Sequence, residues 1–337
     1  PVPSNPKKEK GDAKMKKKVW LGIDIGGTSI KFGYVDEEGK LEGRGVVPVK
    51  DYDPQELTMA RLMTEVVASL AKHRNQYEVE AIGLGVPGAI NFETGTCDYS
   101  NNLHWDHCPV TEMVEKVPGI PAYVDNDANA ALLGEVVYGG GKGYHSAILL
   151  TLGTGVGGGV YLDDRIFRGN EGKGAELGHM VICEGGKSCT CGRRGCLEVY
   201  GSATGLRRLA YEAMERHPKS IMWQKAKTYE EVDGPLPFWA AGLDDEAGKE
   251  TIQEYVEHLG NGILNFINIF RPEVIILAGG VTKSGDALLK PLDAFLAKNG
   301  YGYGGNRCPK VEIKISKLTN DAGIYGAAGL AKLSHKK

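Results

Sequence analysis

The sequence predicts an α/β protein made of a duplicated unit with a cleft between its halves. Three observations predict it. Three strand-like segments followed by a helix occur twice along the 337 residues, without obvious identity between the copies. Forty-eight glycines, about twice the usual ~7% share, gather in clusters between buried strand-like runs and follow no collagen period. The composition, 42% hydrophobic and 25% charged, is that of a folded soluble protein, and the length suits about two domains, each with its own core.

The elements follow in order. Residues 19–24 (VWLGID) read as a buried strand, SIKFGYVD alternates as a second after the turn at Gly26-Gly27, and LEGRGVVPV is a third. A helix is expected next, with Asp53 as its N-cap, Pro54 at its first position and Glu56 completing a capping box. Met59, Met63, Val66, Val67 and Leu70 would form its apolar face. A strand (EAIGLGVPG), an irregular stretch, a strand (PAYVD) and a helix from about Ala128 to Tyr138 complete the first unit.

After Gly139–Gly141 the pattern restarts with SAILLTLG, GVGGGVYLD and RIFRG as strands. Helical segments are expected near 202–216 and 245–269. The second carries Ile252, Tyr255, Val256, Leu259, Ile263, Phe266, Ile267 and Phe270 at helical spacing. EVIILAGGV is a buried strand, VEIKISKL an edge-like one, and the last helix spans about Ala322 to Leu333. The stretch from Pro218 to Asp245 matches no motif.

Net charge is −3, which leaves no electrostatic footprint for nucleic acid or an anionic membrane. Residues 1–18 carry seven lysines against two acids, leaving −8 for the rest. They read as a disordered basic tail or an expression scar, with residues 1–14 lying ahead of a natural start at Met15. With no apolar run they are no secretory signal, and no segment approaches the ~20 apolar residues of a membrane span. The cytoplasm is the expected compartment.

Five motifs carry chemistry. In Asp24-Ile25-Gly26-Gly27-Thr28-Ser29-Ile30-Lys31, a strand ends in an acid and glycines turn the chain. Such a turn either offers N–H groups to phosphate beside a carboxylate that holds hydrated magnesium, or is a plain hairpin. In Thr151-Leu152-Gly153-Thr154-Gly155-Val156-Gly157-Gly158-Gly159, the G-x-G-x-x-G spacing requires a following helix to bind a dinucleotide. A strand and hairpin follow instead, so a phosphate-gripping hairpin is the reading. Val124-Asp125-Asn126-Asp127 delivers three polar groups to a helix mouth, where capping explains one of them. Leu277-Ala278-Gly279-Gly280 is either a close backbone approach to a nucleotide or a simple turn.

His179, Cys189, Cys191 and Cys196 give H-x9-C-x-C-x4-C, one imidazole and three thiolates suited to closed, structural, tetrahedral zinc. Glu176 and Glu198 flank the cluster. Disulfides would need an oxidising compartment. Cys97, Cys108, Cys183 and Cys308 read as buried thiols.

In this order, DIGGTSIKFG, GVPG, NNLHW, DNDANAALLGE, TLGTGVGGGV, GAELGHM, CTCGRRGCLE and LAGGV resemble the ROK family of sugar kinases over residues 19 to about 333. NNLHW, NDANAA and LEVYGSATG are most similar to its bacterial glucose-phosphorylating members. The resemblance implies an actin-like ATPase (ribonuclease H-like) fold of two α/β domains, residues 19–136 with 319–337 and residues 137–318. The second domain would hold a zinc loop at 176–198. It also implies MgATP between the domains, structural zinc, a homodimer or homotetramer, and phosphorylation of a sugar's 6-hydroxyl. Other hexoses remain open: N-acetylglucosamine, N-acetylmannosamine, fructose and mannose. The family's repressors carry a DNA-binding domain ahead of the kinase-like part, against about eighteen residues before Val19 here.

Carried over by position, Asp127 would be the general base. Asn102, Asn126, Glu176, His179 and Glu198 would bind ring hydroxyls, with Gly88 lining the sugar pocket; Asn101 competes with Asn102. Asp24, Gly26, Gly27, Thr28 and Lys31 would form the first phosphate loop, and Thr151, Gly153, Thr154, Gly155 and Gly157 the second. Gly279 and Gly280 would border adenosine.

Overall fold

The computed structural model describes residues 16–50, 53–116, 119–301, 310–318 and 321–335. Residues 1–15, read as a disordered tail, and Cys308, read as a buried thiol, lie outside them, whereas Lys17 and Lys18, counted with that tail, are strand.

The first unit opens with β1 (Lys17–Ile25), β2 (Ser29–Asp36) and β3 (Leu41–Pro48), continues through α1 (Gln55–His73) to β4 (Tyr77–Val86), and then builds a small antiparallel sheet. That sheet consists of β5 (Ala89–Asn91), β6 (Thr96–Ser100) and β7 (Trp105–Cys108). The stretch expected to be irregular is therefore partly strand: Cys97 and Cys108 pair across β6 and β7 and, with Trp105, are buried. After α2 (Val110–Glu115) come β8 (Ala122–Asn126) and α3 (Asp127–Tyr138).

The second unit contains β9 (Ala147–Leu152), β10 (Val156–Leu162), β11 (Arg165–Ile166), α4 (Leu197–Gly201), α5 (Ala203–Arg216), α6 (Pro235–Gly242), α7 (Glu246–Phe270), β12 (Val274–Ala278), α8 (Asp286–Asn299) and β13 (Glu312–Ile315). The chain then returns as α9 (Ala322–His335) to pack on β1, β4 and α3.

The two five-stranded sheets share one topology. Their orders are β3-β2-β1-β4-β8 and β11-β10-β9-β12-β13, an antiparallel meander whose first strand pairs in parallel with a fourth strand, which pairs in parallel with a fifth. The duplicated pattern in the sequence is thus a duplicated sheet. α3 and α9 lie against one another, and Leu132, Leu133 and Val136 of α3 join Leu330 of α9 in a core with Leu149 and Ile276 of the second sheet. Glycine permits this closeness. A Cβ at Gly83 would stand 1.7 Å from the Ala327 carbonyl oxygen, and one at Gly326 1.9 Å from that of Ala130.

Some local expectations need correction. Asp53 does not cap α1: the extended backbone of Pro54 occupies the cap position without a side-chain bond, and the Asp53 carboxylate pairs with Arg61 instead. Leu62 is buried on that helix, whereas Val67 is 38% exposed. Cys183 is half-buried rather than buried. The motif-free stretch after Pro218 folds into two 3-10 turns and α6 over its own cluster, with Met214, Met222, Val232 and Leu236 buried. α7 behaves as its periodicity predicts. Asp245 caps it by accepting the Gly248 N–H at 2.9 Å, and Tyr255, Leu259, Ile263 and Phe266 are buried, each contributing about 1.5–3 kcal/mol.

Candidate active site

Because β1, β4 and β8 run parallel, their C-terminal ends share one edge of the first sheet. That edge carries Asp24, Gly88, Asn126 and Asp127. In the second sheet the C-terminal ends of the parallel β9 and β12 bring Thr151-Leu152 beside Ala278-Gly279. Ligands of open α/β sheets bind beyond such ends.

Asp24 sits directly across the β1–β2 pair from Lys31, and the Gly26 N–H closes the turn on the Ser29 carbonyl at 3.0 Å. Burial pushes the Asp24 carboxyl up to about 6; Lys31 opposes the rise and the nearby charge of Asp127 adds to it. The two carboxylates therefore feel one another. A Cβ at Gly323 would stand 2.3 Å from the Asp24 carboxyl carbon, so the first turn of α9 packs directly on that group.

Asp127 opens α3. The Asn126 side chain caps the helix by accepting the Ala128 N–H at 2.9 Å, and Asp127 Oδ1 lies 2.9 Å from the same donor. Asn126 Nδ2 also donates to the Gly88 carbonyl at 3.1 Å. Gly88 has φ +132°, and a Cβ there would stand 2.3 Å from the Tyr99 carbonyl oxygen, so only glycine fits. Asp127 is open to water, yet protein surrounds its cleft closely enough for desolvation to raise its carboxyl above the ordinary range. Asn101 and Asn102 are set apart by their contacts. The Asn101 side chain accepts from the Tyr99 hydroxyl, while a Cβ at Gly27 would stand 3.4 Å from the Asn102 carbonyl oxygen.

The second glycine segment is strand on both sides of its turn, as expected, with Gly157 opposite Thr151. A Cβ at Gly157 would approach Thr151 Oγ1 to 2.6 Å and Ala128 Cβ to 3.8 Å. β10 thus lies against the start of α3, beside Asp127. Ala203 N–H and the Thr204 hydroxyl hold the Gly153 and Thr154 carbonyls at 2.8 and 2.9 Å. Gly279, at φ +98°, packs on the Leu152 main chain, and Gly280 opens a short 3-10 turn.

His179, Cys189, Cys191 and Cys196 converge, their ligand atoms all within 4.8 Å of one another. Cys189 Sγ lies 3.6 Å from His179 Nδ1, and Cys191 Sγ lies 3.7 Å from Cys196 Sγ. A zinc tetrahedron with ~2.3 Å bonds to sulfur and ~2.0–2.1 Å bonds to nitrogen has S···N and S···S edges of about 3.6 and 3.8 Å. The residues fit that ion, and Nδ1 is the ring nitrogen turned to it.

Glu198, in the first turn of α4, joins this cluster to the second glycine turn. Its Oε1 lies 3.7 Å from Cys189 Sγ, and its Oε2 accepts the Val156 N–H at 3.1 Å. Glu176 is exposed, its carbonyl accepting the His179 N–H at 3.1 Å. Sequence reasoning missed Arg168, which pairs with Asp125, and Glu135, a fully buried carboxylate. Both lie in motifs or beside glycines already noticed, but nothing in the sequence names their partners.

A two-lobed α/β protein with glycine turns on matching sheet edges and a carboxylate between them has the architecture of the actin-like ATPases. Residues 20–334 match the ROK family, and the chain belongs to it. It is 35% identical to the glucokinase of Halalkalibacterium halodurans over 94% of this chain and 96% of that protein. The crystal structure of a ROK family glucokinase from Streptomyces griseus, in complex with glucose and AMPPNP, superposes with a TM-score of 0.75. It is 31% identical and covers 94% of this chain and 99% of that one. The xylose repressor of Caldicellulosiruptor bescii is 28% identical over 92% of this chain and 77% of that protein. Among the described residues, no helix is long and apolar enough to cross a membrane.

Proposed function

We propose that the protein transfers the γ-phosphoryl group of MgATP to the 6-hydroxyl of glucose. Asp127 accepts the hydroxyl proton as that oxygen attacks phosphorus and the bond to the departing ADP oxygen breaks. The observation that supports this most is the setting of Asp127, a water-accessible carboxylate at a helix start with Asp24 and β10 as neighbours. Its proton affinity, raised by desolvation, favours its taking up the hydroxyl proton.

The glycine N–H groups of the 26–28 and 153–157 turns are assigned to the phosphates, and Asp24 to the hydrated magnesium that neutralises charge on the β- and γ-oxygens. Asn102, Asn126, Glu176, Glu198 and the free ring nitrogen of His179 are assigned to the sugar hydroxyls, with Gly88 as the pocket wall. Zinc held by His179, Cys189, Cys191 and Cys196 would fix that imidazole and the adjoining Glu198. A site that pairs each hydroxyl rejects epimers, because a mismatch strands a buried polar group.

The test is ADP release from MgATP with glucose, mannose, fructose, N-acetylglucosamine and N-acetylmannosamine, each against no sugar. Glucose should give the highest kcat/KM. A higher value for another sugar replaces the substrate and keeps the chemistry; no sugar-dependent release removes the kinase reading.

A further inference from the structure

Arg168 follows β11 and belongs by sequence to the second unit, yet its guanidinium reaches the end of β8 in the first. Its Nε and one terminal nitrogen donate to Asp125 Oδ2 at 2.9 and 2.7 Å. The other carboxylate oxygen, Oδ1, accepts the Asn126 N–H at 2.8 Å and the Asn129 side-chain amide at 3.0 Å. Asp125 is 2% exposed. Four donors thus meet its two oxygens, which leaves the carboxylate engaged by protein rather than available to a ligand.

What Asp125 holds is informative. Asn126 and Asn129 stand on either side of Asp127, one at the strand end and one in the first turn of α3. The guanidinium is itself steadied: its carbon lies 4.6 Å from the centre of the Phe92 ring. Its loop also rests on β5, where a Cβ at Gly172 would stand 2.4 Å from the Ile90 carbonyl oxygen.

We infer that Arg168 and Asp125 are positioning residues for Asp127. The planar guanidinium fixes the Asp125 carboxylate, which in turn fixes the strand–helix junction that presents the base. This rests on the proposed role of Asp127. A lysine at 168 would retain the charge but not the two-pronged geometry, so the two residue types are not equivalent here.

The experiment measures kcat/KM for glucose, MgADP affinity and melting temperature in wild type, Arg168→Lys, Arg168→Met, Asp125→Asn and the Asp125→Asn/Arg168→Met double variant. Each single change should lower kcat/KM by about 10- to 100-fold, with the double variant within about threefold of the worse single, because the pair acts as one unit. MgADP affinity should be unchanged, since neither glycine turn is touched. Arg168→Met strands a buried carboxylate and is the variant at risk of misfolding; the double variant removes both charges and keeps the test open. Wild-type kcat/KM in Arg168→Lys, or losses that multiply in the double variant, would overturn the pair's positioning role while leaving the kinase reading intact. A wild-type protein without sugar-dependent turnover would overturn both.

Discussion

Glu135 accepts the hydroxyl of Ser316 at 2.5 Å across 181 positions of sequence. The same oxygen accepts the Leu318 N–H at 3.2 Å, and the other accepts the Gly140 N–H at 2.6 Å. Glu135 is fully buried. Its partners lie on the two stretches that connect the halves of the molecule, from α3 to β9 and from β13 to α9. One carboxylate therefore holds both crossings.

Glu135→Ala would leave three donors without their acceptor in a buried place. The expected loss is on the order of 3 kcal/mol or more, read as a lower urea midpoint. Glu135→Gln keeps the shape and one acceptor oxygen and should lose less. An unchanged midpoint in Glu135→Ala would show that the crossings hold without it.

Asp127→Asn separates chemistry from structure. Asparagine keeps an acceptor near the Ala128 N–H, and Asn126 still caps α3, so the helix start survives. Glucose affinity by calorimetry should remain within about threefold while turnover falls about 10²- to 10⁴-fold, the usual worth of a general base. Turnover within tenfold of wild type would mean that another group takes the proton.

The raised carboxyls set the pH dependence. Burial raises Asp24 to about 6, and desolvation by the surrounding cleft raises Asp127 as well. Turnover that needs both ionised should fall as pH drops through about 6. Stability runs the other way. An acid whose folded value exceeds its ordinary 3.8 keeps its proton in the folded state where the unfolded chain has lost it. Its cost is therefore absent below about pH 4 and complete above about 6. Asp24→Asn should raise the melting temperature of the ligand-free protein at pH 8, lose that advantage near pH 4, and abolish most phosphoryl transfer. No gain at pH 8 would contradict the burial cost.

The duplicated sheet was legible because strand alternation and buried runs are local signals. The glycine turns were legible for the same reason, and the cysteine–histidine cluster because its ligands are close in sequence. Asp125–Arg168 and Glu135–Ser316 were not, since their partners are 43 and 181 positions apart and only the folded chain joins them. Asp53 misled because its proximity to Pro54 mimics a cap, whereas a carboxylate able to reach Arg61 forms an ion pair instead. The three strands after Gly88 were hidden by their shortness, three to five residues each, between turn-forming residues.

The cysteine cluster makes the sharpest demand on the site. Glu198 touches Cys189 and Thr190 through one oxygen and holds the Val156 N–H through the other, so the cluster's geometry is passed directly to the second glycine turn. A Cβ at Gly155 would stand 2.3 Å from that second oxygen, which leaves little slack between them. Elemental analysis should find about one zinc per chain, as a four-ligand closed site requires. Stripping it with a chelator, or replacing a ligand by Cys191→Ser, should lower the melting temperature and weaken glucose binding at least tenfold, because Glu198 and His179 lose their brace. Zinc restored to the stripped protein should recover affinity, whereas Cys191→Ser should recover little. Glucose affinity retained in protein proven free of zinc would sever the link between the cluster and the sugar.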